Sequence, residues 1–229
     1  MFLGHLLPRK WENCMSLDRD SWGYRRNMKQ LVRTIACNGN LLLNIGPDNH
    51  GVIPPIFEER LRELGEWVSR NEEAIFKTYP WMYQKDPGNI WYTVSVPQSY
   101  KVETAWAPHF TGSKLYAFVL DFPTGKSLHL PSVLYTNKTT AGVLLGNGKI
   151  KDLKVHGVEK KPLTLSLATQ QYLAVLSPIV IRIENFAAHY TIACELYYRA
   201  TTSTLEEYVL RTRIELKSSL IVQKVWWFV

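Results

Sequence analysis

Trp11, Glu12 and Cys14 stand together in "KWENCMSLDRDSWGYRRN", and the same stretch adds Trp22, Tyr24 and the pair Arg25–Arg26. Flat amphipathic rings beside a carboxylate suit a pocket that stacks on a sugar or cofactor and moves a proton. Glu12 is the acid–base candidate. Flanked by Trp11 and Cys14, it could be desolvated, and desolvation favours a protonated carboxyl. The ordinary alternative is a solvated or ion-paired carboxylate, with Arg25 or Arg26 as partner. Asp18 and Asp20 lie in "LDRDS", which reads as a helix-capping turn, and His50 falls in a later turn.

The elements that must position these groups have α/β rhythm. "MKQLVRTIACNGN" reads as a short amphipathic helix with Leu31, Ile35 and Ala36 on one face, stopped at Asn38-Gly39. "NLLLNIGP" follows, apolar without alternation from Leu41 to Ile45, as in a parallel strand buried on both faces. Pro54-Pro55 then pre-sets the dihedral that opens a second helix, in which Phe57, Leu61, Leu64 and Val68 form one stripe. Helix, buried strand and helix read as the closing units of a (β/α) barrel or doubly wound sheet. In a barrel, the "NIGP" end of the strand, with His50 beyond it, is the catalytic face.

Past about Asn71 the pattern changes. Seven β-prone runs, from "NIWYTVSV" to "YTIACELYY", are separated by Gly, Pro, Asn and Lys turns and predict an antiparallel sandwich. The fold class expected is therefore α/β plus all-β. Residues 1–75 are the last part of a TIM-like (β/α)8 barrel, 76–200 a β-sandwich, and 201–229 a divergent tail. That tail reads as helix in "TLEEYVLRTRIELKSSL" and as strand in "SLIVQKVWWFV".

Composition narrows the function classes. The net charge is +7, from 27 Lys and Arg against 20 Asp and Glu, but the excess is spread along the sequence without a readable motif, which argues against nucleic-acid binding. Three cysteines, Cys14, Cys37 and Cys194, have no metal spacing, so zinc is not expected and one disulfide is the maximum. No cofactor is implied. Asn137-Lys138-Thr139 is a glycosylation sequon, meaningful in the secretory pathway. The opening "MFLGHLLPRK" lacks a basic n-region, and no stretch approaches the roughly 20 apolar residues that span a bilayer.

The motifs carry a resemblance. "KWENCMSLDRDSWGYRRN", then "LVRTIACNGNLLLNIGPDNHGVIPPIFEERLRELGEWVSRNEEAIFKT", then "IWYT", resemble the carboxyl-terminal half of animal alpha-L-fucosidases, retaining glycosidases of glycoside hydrolase family 29. "KLYAFVLDFPTGKSLHL" continues the likeness more loosely. The resemblance implies a catalytic barrel with a C-terminal sandwich, hydrolysis of alpha-linked L-fucose from glycans, and a lysosomal or secreted location. It implies that an Asp nucleophile forms a glycosyl-enzyme while a second carboxyl group, roughly 5–5.5 Å away, acts as acid and then base. Glu12 matches the glutamate of the family's W-E motif in that second role, and Trp22 and Tyr24 match the S-W-G-Y segment near the pocket.

Departures qualify it. No stretch matches the surroundings of the nucleophile, "RRNMKQLV" joins sooner than the family pattern, and the likeness fades after about Pro178. The chain alone is therefore expected to be inactive. A different class, a non-catalytic sandwich module binding glycan or protein, is the alternative. Self-association stays open on either reading.

Overall fold

A computed structural model describes residues 7, 9–16, 25–102, 104–107, 109–167 and 178–188. Its first unit is a parallel strand pair bridged by a helix: β1 (Trp11–Ser16), α1 (Arg25–Ala36) and β2 (Gly39–Asn44). Leu31, Ile35 and Ala36 are buried, as their spacing requires. Asn38 ends the helix with a positive φ of 65°, which Asn tolerates better than most side chains. Two further helices follow, α2 (Pro55–Arg70) and the short α3 (Glu72–Ile75). Pro54 caps α2 and Glu58 pairs with Arg62 at 2.6 Å. The buried side of α2 is Leu64, Trp67 and Val68, whereas Phe57 and Leu61 are only half-buried.

The rest is antiparallel. Six strands pair in the order β3 (Tyr79–Asp86), β4 (Ile90–Ser95), β5 (Lys114–Val119), β11 (Ile179–Glu184), β7 (Thr140–Gly146) and β8 (Lys149–Asp152). Three more pair as β6 (Ser127–Leu134), β10 (Pro162–Ser166) and β9 (Lys154–His156). The run "YPWMYQKDPG" contains β3, an edge strand whose register slips between Pro80 and Lys85. Pro80 has no N–H to donate, which suits it to an edge. The strands β8 and β9 had no counterpart among the apolar runs because Lys149, Lys151, Asp152, Lys154 and His156 make up most of them. The predicted strand in "YTIACELYY", the tail 201–229 and Cys194 lie outside the described residues.

The inner strands of the six-stranded sheet are buried on both faces, which explains why β4 and β5 look uniformly apolar. Ile90, Tyr92 and Val94 of β4, with Leu115, Ala117 and Val119 of β5, share a core with Leu128 and Leu130 of β6 and Leu163 and Leu165 of β10. The alternate residues Trp91, Tyr116, Phe118 and Val180 share a second core with Met28, Leu31 and Ile35 of α1 and Leu64 and Trp67 of α2. Alternation is present, but both directions end in apolar surroundings. Each large side chain so buried contributes about 1.5–3 kcal/mol relative to exposure.

Polar bonds fix the layers against each other. The Asp86 carboxylate, at the end of β3, accepts from the Tyr92 hydroxyl at 2.7 Å and from the Ser132 hydroxyl of β6 at 2.6 Å, tying one sheet to the other. On the opposite face, Asn89 accepts from Trp91 Nε1 at 2.9 Å and from Arg33 at 3.2 Å, and donates to Asp121 at 2.7 Å. Lys29 of α1 closes that network through Asp121. Its hydrogen bond, followed by that of Asn89, holds the Asp121 carboxyl below its usual range.

Burial gives the fold a predicted alkaline limit. It pushes the Tyr116 phenol up to about 12, the Cys37 thiol up to about 11 and the Tyr92 phenol well above its ordinary value, where the Asp86 charge adds to the effect. The unfolded chain gives up these protons near 9.0 for Cys and 10.0 for Tyr, before the native chain does. Their contribution is thus complete below pH 9 and is lost as pH rises towards about 12. Near-ultraviolet dichroism should collapse in that window together with a steep tyrosinate absorbance step. A shallow titration of all tyrosines near pH 10 with native dichroism retained would refute the burial of Tyr92 and Tyr116.

No described helix is long and apolar enough to cross a membrane.

Candidate active-site face

Strand alternation sorts β1 into two faces. Trp11, Asn13 and Met15 turn towards α1: Trp11 Nε1 donates to the Cys37 carbonyl at 2.8 Å, and Asn13 Nδ2 to Thr34 Oγ1 at 2.9 Å. Glu12 and Cys14 turn the other way, and both are exposed. Parallel pairing sets Glu12 opposite Asn40 and Cys14 opposite Leu42. Asn40 Nδ2 donates to Glu12 Oε2 at 2.9 Å, and the Cys14 thiol to Glu12 Oε1 at 3.4 Å.

Two expectations change here. Glu12 is not desolvated by Trp11, because neighbours in a strand point to opposite faces; its indole is committed to the helix side. The strand β2 is not covered on both faces either: Leu41 is 6% exposed but Leu42 is 43% exposed, since among the described residues nothing packs over the Glu12 face. The Glu12 carboxylate raises the Cys14 thiol's pKa, chiefly by accepting its hydrogen bond, which makes that thiol a weaker nucleophile.

Gly39 is what allows this arrangement. A Cβ there would lie 2.6 Å from Trp11 Cε2 and 2.8 Å from Thr34 Cγ2. The indole cannot retreat without losing its bond to Cys37. Replacing Gly39 by Ala should therefore cost about 1–3 kcal/mol by overpacking. Denaturant unfolding that shows no loss would mean that the β1–β2 pair adjusts freely.

Asn40, a partner of Glu12, was not apparent from sequence, where it reads only as the start of a strand. Its signal is the register, which composition and spacing do not carry. Trp22, Tyr24, Asp18 and Asp20 lie outside the described residues, as do the side chains of Arg25 and Arg26. His50 is exposed in the turn after β2, its backbone N–H donating to Asp48 at 2.9 Å. Asn137 is exposed in the turn before β7, and Thr139 of its sequon is buried, its hydroxyl donating to the Asn185 carbonyl at 3.0 Å. Cys14 and Cys37 are free thiols. No group of three or more metal-ligating side chains forms among the described residues.

Among the described residues the candidate site is a strand-borne carboxylate on the open face of a parallel pair, backed by helices and antiparallel sheets. The shape of the chain matches that of alpha-L-fucosidase isoenzyme 1 of Paenibacillus thiaminolyticus, with a TM-score of 0.59 at 23% identity over 80% of this chain and 43% of that one. Sequence is more specific. Residues 2–73 match the alpha-L-fucosidase family, and a Caenorhabditis elegans protein carrying the alpha-L-fucosidase name is 40% identical over 209 residues. The plasma alpha-L-fucosidase of Rattus norvegicus is 43% identical over 160 residues, covering 64% of this chain and 32% of that protein. The chain belongs to the alpha-L-fucosidase family as a part of it: the C. elegans match takes in 81% of this chain and 42% of that protein.

Proposed function

We propose that this chain supplies the carboxyl-terminal half of an alpha-L-fucosidase, which removes alpha-linked L-fucose from glycoconjugates by a retaining mechanism without a cofactor. On this reading residues 1–75 are the closing units of the barrel, 76–200 the sandwich and 201–229 a divergent tail. Glu12 is the general acid and base, with Trp22 and Tyr24 lining the sugar pocket. The observation that carries the reading is the pairing of Glu12 with Asn40 across β1 and β2, inside the stretch that matches the family. Both carboxylate oxygens already accept a hydrogen bond, so the group is oriented and solvent-accessible. It could protonate a departing glycosidic oxygen and later take a proton from water.

One observation favours a second role for Glu12. It is the second residue of a six-residue strand, so it lies about 13 Å short of the carboxyl end, where barrel chemistry is usually placed. On that account Glu12 and Asn40 form a polar floor that steadies the strands, and another carboxyl group serves as the acid.

A glycosyl-enzyme needs its nucleophile, and no stretch of the 229 residues matches the surroundings of one. A polypeptide of these residues alone should leave an aryl fucoside intact. The same residues joined behind the upstream part of the rat plasma enzyme should release fucose. A soluble, folded chimera that hydrolyses other glycosides but not fucosides would overturn the assignment. The plasma relative also supports a secreted or lysosomal location, with Asn137 glycosylated on its exposed turn; loss of a glycosidase-sensitive mass shift in Asn137→Gln would bear on the latter.

A further inference from the structure

Residues 149–161 carry five lysines, and the fold sets them along the borders of two sheets. Lys149 and Lys151 lie on β8, the edge of the six-stranded sheet, and Lys154 on β9, the edge of the three-stranded sheet. Only Leu153, buried in the core between the sheets, separates the two strands. Lys160 and Lys161 stand in the hairpin that returns β9 to β10, held by backbone bonds to Tyr135. Five lysines thus lie on β8, β9 and the following hairpin within thirteen residues that hold two carboxylates, Asp152 and Glu159, while Glu72 and Glu73 line a cavity beside Lys149. Glu159 is already engaged, accepting from the Asn137 backbone N–H at 2.9 Å. All five ammonium groups are exposed, and among the described residues none has an ion-pair partner, whereas Lys29, Arg60, Arg62 and Arg182 do.

Lysines on edge strands discourage pairing with another chain. That purpose accounts for β8 and β9 but not for the hairpin, nor for the adjoining outer face of the three-stranded sheet. There Leu128, Leu130, Leu163 and Leu165 point into the core, leaving two cross-strand rows outside. Register places His129, Thr164 and His156 in one row and Ser127, Ser166 and Lys154 in the other. These are short or cationic side chains on a flat, hydrogen-bonding surface beside the lysine edge. Neither row contains a carboxylate.

We propose that this edge and face bind a linear anionic polysaccharide, sulfated or carboxylated, laid along β8, β9 and the hairpin. Residues 149–156 span up to about 25 Å of extended chain along two sheet borders, a length that suits an extended ligand better than a small one. Single-stranded nucleic acid would require aromatic platforms for its bases, and the two outer rows have none. Tyr135, the ring nearest the hairpin, packs against the core. Hydroxyls and imidazoles beside the lysines can bond to sulfate, carboxylate and sugar oxygens.

Heparin provides the probe, tested at low salt on the 229-residue chain. The variant Lys151→Glu/Lys154→Glu/Lys160→Glu/Lys161→Glu should bind it at least about ten-fold more weakly, with a flatter salt dependence. Lys77→Glu/Lys85→Glu, at the opposite edge by β3, should change binding less than about two-fold. Independently of any variant, heparin should protect Lys149, Lys151, Lys154, Lys160 and Lys161 of the unaltered chain from acetylation and leave Lys77 and Lys85 reactive. Equal losses in the two variants, or uniform protection, would overturn the proposal. Tighter binding to duplex DNA or to phosphatidylserine vesicles than to heparin would overturn it in favour of those partners.

Discussion

Glu12→Gln, placed in the active chimera, is expected to lower kcat/KM on fucosylated glycans by about 10²–10⁴-fold, the usual contribution of a positioned general acid. The loss should depend on the leaving group. A sugar alkoxide departs only with a proton, whereas a nitrophenolate departs unaided, so the aryl fucoside should suffer far less in forming the glycosyl-enzyme. With Glu12→Ala, azide should restore turnover of the aryl substrate, because an anionic nucleophile needs no base to attack the intermediate. Asn40→Ala, which removes one oriented donor to Glu12, should act in the same direction with a loss of about 10- to 100-fold, from the roughly 1.5–3 kcal/mol of one hydrogen bond to a charged group. If Glu12→Gln lowers all substrates equally and azide does nothing, Glu12 belongs to the strand floor and the proton comes from elsewhere. Depth within β1 makes that a sharp alternative, and the leaving-group series decides it.

What could be seen in the sequence was whatever depends on local spacing. Leu31, Ile35 and Ala36 mark the buried side of α1, Pro54-Pro55 marks the start of α2, and the apolar runs mark the central strands because β-branched and aromatic residues fill them. Three things were hidden because they depend on pairing between distant segments. The exposure of Glu12 follows from alternation about Trp11, but its bond to Asn40 needs the register of β1 on β2. The double burial of β4 and β5 needs two covering layers, which no local pattern distinguishes from a single buried face. The lysine edge needs β8 and β9 to be adjacent borders of two different sheets. The run of five lysines between 149 and 161 is visible in the sequence, but its placement on two sheet borders is not.

The same double burial shows where the two parts of the chain depend on each other. The apolar sides of α1 and α2 meet Trp91, Tyr116, Phe118 and Val180 of the six-stranded sheet, in a core that also takes in Leu41 of β2 and Trp11 of β1. Any shift of that sheet reaches β1 and β2 through α1, because Trp11 and Asn13 are bonded to the end of the helix at Cys37 and to Thr34 within it. The antiparallel layers thus brace the candidate site through α1.

Trp67→Ala should be the most damaging core substitution, at about 3–5 kcal/mol, since truncating a buried Trp removes its transfer energy and leaves a cavity. Trp67 is fully buried and its ring lies 6.3 Å from that of Phe118. Its Nε1 donates to the Pro178 carbonyl at 2.8 Å, which fixes the entry to β11 beneath α2. Alanine would leave that carbonyl without its partner as well as emptying the space. Trp67→Phe separates the two contributions: it keeps most of the ring and loses only the donor, and should cost about 1–3 kcal/mol. The order expected in urea midpoints is native, then Phe, then Ala, and a domain of modest stability could be largely unfolded by the last change. If Ala unfolds at the same midpoint as the native chain while α1 and the sheet keep their dichroism, the helices do not share a core with the sheet, and the coupling argued for Glu12 through α1 falls with it.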